Sequence, residues 1–342
     1  MRYPEFLKEN GKLGFVAPSF GCATSPYIER FESALSRFES MGYETIQGPN
    51  ARASLGVGKS NTSEACGAEI NDFFINGKSD VIMSCGGGEL MCEDLPFIDF
   101  EGIKKAAPRW YIGYSDNTNL TFLLPTLCDT ASIYGPCVSD FGMNPWHPAI
   151  EDAFDLLTGK KLTVSNYDGW EKKWDDEETE PTAPYHITEP YKQIISGSYE
   201  VPVTFSGRLI GGCMDCLATL VGTRFDRVSE FCERYKDDGF IWFLECCDLN
   251  VFSMRRVLWQ MEQAGWFKYV KGFLIGRPLH INDEFDGFKP HDAFEGILSK
   301  YNVPLIMDVD IGHLSPMMPL ITGAVAEVTG GSETLEISMK LK

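Results

Sequence analysis

The sequence predicts an α/β protein of two domains, the first built on a parallel sheet and the second on a mixed arrangement of helices and strands. Two observations predict this class. Apolar runs alternate with segments of helical period from residue 12 to residue 115, which is typical of a parallel sheet covered by helices. After a polar stretch of little periodicity, the same alternation resumes near residue 199 and continues through the C-terminal part.

The first domain is expected over residues 1–165, with a Rossmann or flavodoxin-like sheet. Strands are predicted where short apolar runs end at turn residues, at 12–17, 43–46, 80–84, 110–112 and 131–136. Helices are predicted from apolar residues at helical spacing, over 27–41, 62–74, from 119 onward and 148–157. Because ligands of such sheets lie beyond the carboxyl ends of the strands, the loops after 84 and 112 are expected at one edge.

Residues 166–198 are expected to form a linker or insert, because they combine acidic residues, Pro and Thr with little periodicity. Trp170 and Trp174 lie in this segment, either as a platform for a ligand or as anchors of the insert. The second domain is expected over 199–342. Its strands are predicted at 206–213, where a glycine turn leads into a helix, and at 240–244, 270–276 and 303–308, with an amphipathic helix over 252–265.

The composition excludes several classes of function. A net charge of −19 would repel nucleic acids and anionic membranes. No apolar run approaches the ~20 residues of a membrane span, and residues 1–5 lack the apolar start of a signal peptide. The 11 cysteines show no paired zinc pattern, so we expect reduced thiols, no metal or other cofactor, and a cytoplasmic protein.

The turn at residues 113–118 is the first candidate site. Ser115 follows an apolar strand and precedes a helix, and a serine at such a turn exposes its hydroxyl at the carboxyl edge of a sheet. The next backbone N–H, that of Asp116, points to the same place and can bind an oxyanion. The match to G-x-S-x-G is incomplete because Asn117 replaces the second glycine, and Ser, Asp and Asn are also ordinary turn residues.

A second candidate is the loop that contains Gly86, Gly87 and Gly88. Three glycines let the backbone approach a ligand closely and leave N–H groups available to it. A phosphate-binding loop is excluded because no Gly-Lys-Ser/Thr follows and the G-x-G-x-x-G spacing fails. The loop is therefore either an oxyanion-binding backbone or a flexible turn.

Glu245 and His313 are the remaining candidates for catalysis. Glu245 ends a continuous apolar strand. A carboxylate at this position is either part of a functional site or a hydrogen-bonded residue at a strand end or beside a helix N-cap. Of the five histidines, His313 has the tightest setting, next to Gly312, while His280 also follows a strand and competes with it. A lone histidine in a loop is more often structural than catalytic, so the pattern alone leaves its role open.

Taken together, these segments resemble the LD-carboxypeptidase family, which includes the microcin C immunity-type serine peptidases. The resemblance covers nearly the whole chain and keeps the order and rough spacing of the matching segments. They are residues 85–88, 95–99, 113–118, 134–136, 207–212, Glu245, Gly312, His313, Pro316, Pro319 and Gly323.

The resemblance implies a serine carboxypeptidase with a Ser-Glu-His triad of Ser115, Glu245 and His313, in an active site between the domains. It also implies an oxyanion hole made by the N–H groups of Asp116 and Gly87, and a homodimer. Contacts to substrate are expected from Gly86, Gly88, Gly212, Trp170 and Trp174. One departure from the family pattern lies after the glycine pair 211–212, where Cys213 replaces the usual Asn.

The family implies two substrate classes. LD-carboxypeptidases remove a terminal D-amino acid from L,D-linked muropeptides during cell-wall recycling, and this is the expected activity here. Microcin-type members instead cleave the amide between an amino acid and a nucleotide, which the aromatic insert also fits. A rival hypothesis of another class is a non-catalytic module that binds a small molecule. A cysteine hydrolase using Cys85 or Cys246 is a weaker hypothesis than this one, because neither cysteine has an identifiable histidine partner.

Overall fold

The computed structural model describes residues 1–56, 58–172 and 179–342. The chain divides into two compact units. The first contains residues 1–161 and 179–186, and the second contains 162–172 and 187–342. Trp174 lies outside the described residues. No helix of the described ranges is long and apolar enough to cross a membrane.

The first unit is built on a parallel sheet in the order β2-β1-β3-β4-β5. This is the flavodoxin-like order, so the predicted fold class of the N-terminal part is confirmed. The strands are β1 (Lys12–Val16), β2 (Glu44–Gln47), β3 (Val81–Ser84), β4 (Trp110–Gly113) and β5 (Ser132–Tyr134). The helices are α1 (Tyr27–Ser40), α2 (Ser63–Ile75), α3 (Phe100–Lys105), α4 (Thr118–Thr121), α5 (Leu123–Cys128) and α6 (Pro148–Thr158).

The core of this unit follows directly from the sequence pattern. Strands β3 and β4 are buried at every position, as expected for parallel strands covered on both faces. Helix α1 buries Phe31, Ala34, Leu35 and Phe38, which lie on one face because they are spaced at i, i+3, i+4 and i+7. Phe15 of β1 packs edge-on against Phe31, with ring centroids 5.6 Å apart.

The second unit is built on a mixed sheet in the order β6-β16-β15-β10-β11-β12-β13-β9. Strands β10 to β13 are parallel, and the flanking strands pair antiparallel, which confirms the predicted mixed α/β domain. The early strands are β6 (Thr163–Ser165), β7 (Gly169–Trp170), β8 (Glu189–Pro190), β9 (Ile194–Ser196) and β10 (Val203–Cys213). The later strands are β11 (Phe240–Glu245), β12 (Val270–Gly276), β13 (Leu305–Val309), β14 (Leu320–Thr322), β15 (Val325–Gly330) and β16 (Leu335–Lys340). The helices are α7 (Met214–Leu220), α8 (Val228–Arg234), α9 (Val251–Gln263) and α10 (Pro290–Leu298).

The predicted glycine turn at 211–212 is wrong, because β10 continues through both glycines to Cys213. Gly211 pairs with Phe243 and Gly212 with Leu244 in the parallel ladder. Both have positive φ, and a Cβ on Gly211 would lie 1.7 Å from the Phe243 carbonyl oxygen. The glycines therefore allow the two paired backbones to approach each other closely, and they do not reverse the chain.

Arg208 of β10 is a buried charge that stabilises the second unit. Its guanidinium pairs with Asp238 and lies 4.0 Å from the centroid of the Tyr235 ring. It also donates a hydrogen bond to the Gly323 carbonyl, and its side chain is 2% exposed.

Replacing Arg208 by methionine is expected to lower the free energy of unfolding by about 3 kcal/mol, because it leaves Asp238 without its guanidinium partner. The matched control is Arg227→Met, which breaks the exposed pair with Glu230 and should cost about 1 kcal/mol or less. Urea unfolding curves measure both. Equal losses would show that burial of the Arg208 pair contributes nothing.

Candidate active site

Ser115 lies on a sharp turn between β4 and α4. Tyr114 continues the extended backbone of β4, and Ser115 then adopts a φ of +59°, after which a 3-10 turn over Ser115–Asn117 leads into α4. A positive φ is uncommon for a residue other than glycine. This is the conformation of a nucleophile elbow, in which backbone strain presents the hydroxyl at the sheet edge.

The two residues after Ser115 direct their side chains into the first unit. The buried carboxylate of Asp116 accepts hydrogen bonds from the Ser19 hydroxyl and from the Met91 N–H, the latter at 2.9 Å. Asn117 accepts from the Tyr111 hydroxyl and donates to the Gly86 carbonyl at 2.8 Å. The Asn that breaks the G-x-S-x-G pattern therefore ties the elbow to the glycine loop.

The glycine loop is packed against the elbow. A Cβ on Gly87 would lie 3.1 Å from the Ser115 Cβ and 3.2 Å from its Oγ. The Gly87 carbonyl accepts from the Phe20 N–H at 2.8 Å. Gly88 has a φ of +147°, and a Cβ there would lie 2.1 Å from the Ser19 Oγ. The structure thus brings the predicted Gly87 and Ser115 together and holds the loop by hydrogen bonds.

Replacing Gly87 by alanine is expected to lower kcat/KM by about tenfold or more, because the new methyl group presses on the nucleophile and 1 Å displacements are costly in catalysis. Gly265→Ala, at the end of α9, is the control, since a Cβ there meets nothing within 4 Å. Steady-state hydrolysis by the two purified variants gives the comparison. An unimpaired Gly87→Ala enzyme would mean that this loop does not border the reacting atoms.

Glu245 and His313 are joined within the second unit. Glu245 is the last residue of β11 and is fully buried, and His313 follows β13 and is 6% exposed. The His313 Nδ1 and the Glu245 Oε2 are 2.8 Å apart. An Nδ1–H donated to a carboxylate leaves Nε2 as the basic nitrogen, which is the tautomer that a general base needs.

Two glycines let the chain between β13 and His313 reach Glu245. Strand β12 lies between β11 and β13 and ends at Gly276, where a Cβ would lie 2.0 Å from the Ile311 carbonyl oxygen. Gly312 has a φ of +106°, and a Cβ there would lie 2.6 Å from the Glu245 Oε2. The segment 311–313 can therefore cross the end of β12 only because both positions lack a side chain.

The surroundings of His313 favour its charged form. Burial alone would lower the pKa of the imidazole, but the Glu245 carboxylate and a hydrogen bond with the Cys247 thiol raise it well above its ordinary value of 6.5. An imidazole with this pKa is a strong base once it is deprotonated.

The other predicted site residues are placed as follows. Gly212 lies in β10, and Trp170 lies in β7, where the guanidinium of Arg277 sits 5.1 Å from its ring centroid. Trp170 is thus packed beside Arg277 within the second unit. His280, the competing histidine, is exposed and lies 3.9 Å from Asp283.

Sequence reasoning missed Cys247, which is half-buried and whose thiol is among the groups that raise the pKa of His313. It examined Cys246 instead, which is fully buried. The available signal was spacing, because residues two apart on an extended chain point to the same side, and Cys247 stands two residues after Glu245. Among the described residues, no group of three or more His, Cys, Asp or Glu side chains is arranged to hold a metal ion.

The fold and the site residues together are those of a serine-type peptidase. A strained turn on the flavodoxin-like sheet carries the serine, and a histidine held by a carboxylate lies on the mixed sheet. Two family models agree. The model of the LD-carboxypeptidase N-terminal domain matches residues 13–135, and that of the LD-carboxypeptidase C-terminal domain matches residues 206–328. The chain belongs to the LD-carboxypeptidase family and is a serine-type carboxypeptidase.

Similar proteins include both branches of the family. The Escherichia coli microcin C7 self-immunity protein MccF is 24% identical over 338 residues, covering 95% of this chain and 92% of its own. A Bacillus subtilis protein named "Probable murein peptide carboxypeptidase" is 24% identical over 344 residues, covering 98% and 93%. A structure of MccF in complex with aspartyl sulfamoyl adenosine superposes with a TM-score of 0.81 at 20% identity, covering 98% of each chain.

Proposed function

We propose that Ser115, His313 and Glu245 form a catalytic triad that hydrolyses a C-terminal amide. The observation that carries this proposal is the 2.8 Å bond between His313 and Glu245, since a buried carboxylate on Nδ1 fixes the tautomer of a general base. The positive-φ turn at Ser115 supplies the matching nucleophile.

Each residue then has a defined step. His313 Nε2 removes the proton of the Ser115 hydroxyl as its Oγ attacks the carbonyl carbon, and it later gives that proton to the leaving amine. Glu245 stabilises the imidazolium formed in between and keeps the ring in place. Water then attacks the acyl-enzyme, with His313 again acting as the base, and frees Ser115.

The oxyanion of the tetrahedral intermediate would be bound by the backbone N–H groups of Asp116 and Gly87. The side chain of Asp116 is engaged by Ser19 and Met91, which fixes the peptide plane that precedes it. Gly87 stands beside the Ser115 side chain. Fixed donors at this position stabilise developing charge without having to reorganise.

We propose an L,D-linked muropeptide as the substrate, with release of its terminal D-amino acid. The support is family membership and the likeness over almost the full chain to the Bacillus subtilis protein named for murein peptide cleavage. Substrate contacts by Gly86, Gly88, Gly212, Trp170 and Trp174 stay predictions, as do the homodimer and a role in wall recycling.

A second substrate class is an aminoacyl or peptidyl nucleotide joined through an amide. The observation that favours it is the likeness to MccF, which was solved in complex with aspartyl sulfamoyl adenosine. The polar segment that holds Trp170 offers an aromatic surface for a base, although that side chain is packed beside Arg277.

Hydrolysis of an L,D-tetrapeptide and of an aminoacyl sulfamoyl adenosine, followed by mass spectrometry of the released amino acid, tests the proposal. Cleavage of the tetrapeptide alone supports the muropeptide class, and cleavage of the nucleotide alone supports the second class. Cleavage by an enzyme that lacks the Ser115 hydroxyl would contradict the triad. Failure to cleave either compound, with no labelling of Ser115 by a fluorophosphonate, would favour a non-catalytic binding role for this chain.

A further inference from the structure

The chain between β13 and β14 forms a loop that is closed at its base. Strand β13 ends at Val309, and the carbonyl of the next residue, Asp310, accepts the N–H of Met318 at 2.6 Å. Residues 310–318 are called the histidine loop below, because His313 lies within it, three residues after Asp310. The position of the imidazole therefore depends on how Asp310 is held.

The side chain of Asp310 is fully buried and is held from two sides. Its Oδ1 pairs with the guanidinium of Arg277, the residue that follows β12. Its Oδ2 accepts the N–H of Tyr167 at 2.9 Å, from the segment between β6 and β7. One carboxylate thus joins the start of the histidine loop to two other segments of the second unit.

Arg277 contacts three successive residues where the chain leaves β13. Its backbone N–H donates to the Val309 carbonyl at 3.3 Å, and its Nη1 donates to the Asp308 carbonyl at 2.7 Å. Its Nη2 donates to Asp310. Because the donors of a guanidinium lie in one plane at fixed angles, these contacts define the direction in which the loop begins.

The neighbouring carboxylate does not compete for this guanidinium. Both carboxylate oxygens of Asp308 lie 2.9 Å from the Nε2 of His291. Among the residues that the structure describes, Arg277 is the cation paired with Asp310. Loss of either partner of a buried pair leaves an uncompensated charge, so the backbone around it must move or admit water.

The far side of the histidine loop has a separate anchor. The Ser315 carbonyl accepts the N–H of Glu171 at 2.7 Å. His313 lies between this anchor and Asp310, and its Nδ1 is 2.8 Å from the Glu245 Oε2. A shift of about 1 Å at the base of the loop would take these two atoms out of hydrogen-bond range.

We propose that Asp310 is a positioning residue, which pairs with Arg277 and so keeps the His313 imidazole on Glu245. The effect on catalysis rests on the proposed function of His313. The geometric part of the inference rests only on contacts within the second unit.

The first measurement is the titration of the histidine side chains in the full chain, by NMR of ¹³C-labelled imidazoles, with His313→Gln to assign the His313 signal. In Asp310→Asn the side chain keeps its shape, but the amide has no charge for Arg277 and one of the two donors then faces an NH₂ group. The imidazole should lose close contact with Glu245, so the midpoint for His313 should fall by about one pH unit or more. The exposed His280 should titrate as in wild type.

The matched control is Asp238→Asn, which weakens another buried pair of the second unit. Asp238 pairs with Arg208 and Lys342, and both lie outside the histidine loop. This variant should lose stability but keep the His313 midpoint. Arg277→Lys serves if Asp310→Asn does not fold, because a lysine keeps the charge but cannot reproduce the planar set of donors, and it should also lower the midpoint.

The second measurement separates kcat from KM. Asp310→Asn should lower kcat roughly 10- to 100-fold and leave KM within about twofold, because a fully buried side chain meets no substrate while a displaced base slows the chemical step. An unchanged His313 midpoint with unchanged kcat in Asp310→Asn, or an equal fall of the midpoint in Asp238→Asn, would overturn the inference. Absence of hydrolysis by wild type would count against the proposed function, while the titrations still decide whether Asp310 positions the imidazole.

Discussion

Replacing Ser115 by alanine is expected to lower kcat/KM by a factor of about 10³ or more while leaving the fold intact. The loss follows because no other group on the elbow can attack the carbonyl, and the oxyanion donors alone retain only a fraction of the rate. Alanine tolerates the φ of +59° about as well as serine does, so the melting temperature should hardly change. Hydrolysis of the preferred substrate and thermal unfolding are the two measurements.

Ser115→Gly separates the chemistry from the backbone strain. Glycine adopts positive φ without penalty, so this variant should be as inactive as Ser115→Ala yet more stable by about 1 kcal/mol. A gain in stability with loss of activity would show that the elbow stores strain for function. Retained activity in either variant would remove Ser115 from the mechanism.

The second large effect is expected from Glu245→Gln, which should reduce kcat by about 10³ to 10⁴. The amide keeps the shape of the side chain but carries no charge to stabilise the imidazolium, and it can hold the ring in the wrong tautomer. The Glu245 side chain is fully buried, so water cannot replace its contact with His313.

The same substitution should change the pH dependence. His313 must be neutral to accept a proton, so activity rises as the pH rises through its pKa. Because Glu245 and Cys247 raise that pKa well above 6.5, the acidic limb of the wild-type profile should have its midpoint above 6.5. Without the Glu245 charge, burial dominates and the midpoint should move down.

A pH profile of kcat/KM for both enzymes measures this shift. The matched control is Asp283→Asn, which removes the carboxylate from the exposed pair with His280 and should leave the rate and the profile unchanged. A wild-type midpoint at or below 6.5, or an unshifted midpoint in Glu245→Gln, would contradict the assigned role of Glu245.

Much of the fold could be predicted from the sequence because its pattern is local. Parallel strands such as β3 are buried on both faces, so their apolar runs are unbroken, and α1 repeats Phe31, Leu35 and Phe38 on one face. The elbow was recognisable for the same reason, since a strand, a short polar turn and a helix follow one another within a few residues.

What could not be predicted depends on contacts between distant parts of the chain. The glycines at 211 and 212 suggested a turn, because sequence does not show that they pair with Phe243 and Leu244 of β11. The bond between His313 and Glu245 joins residues 68 positions apart, and it was expected only through the family resemblance.

The crossing of residues 311–313 over the end of β12 bears on how inactive relatives would be recognised. That crossing depends on two missing methyl groups, at Gly276 and Gly312, as much as on the residues it brings together. A homologue could keep the serine, the glutamate and the histidine and yet carry alanine at either glycine. Such a chain is expected to be a pseudoenzyme. Its catalytic residues would all be present in the sequence, but its imidazole could not reach the carboxylate.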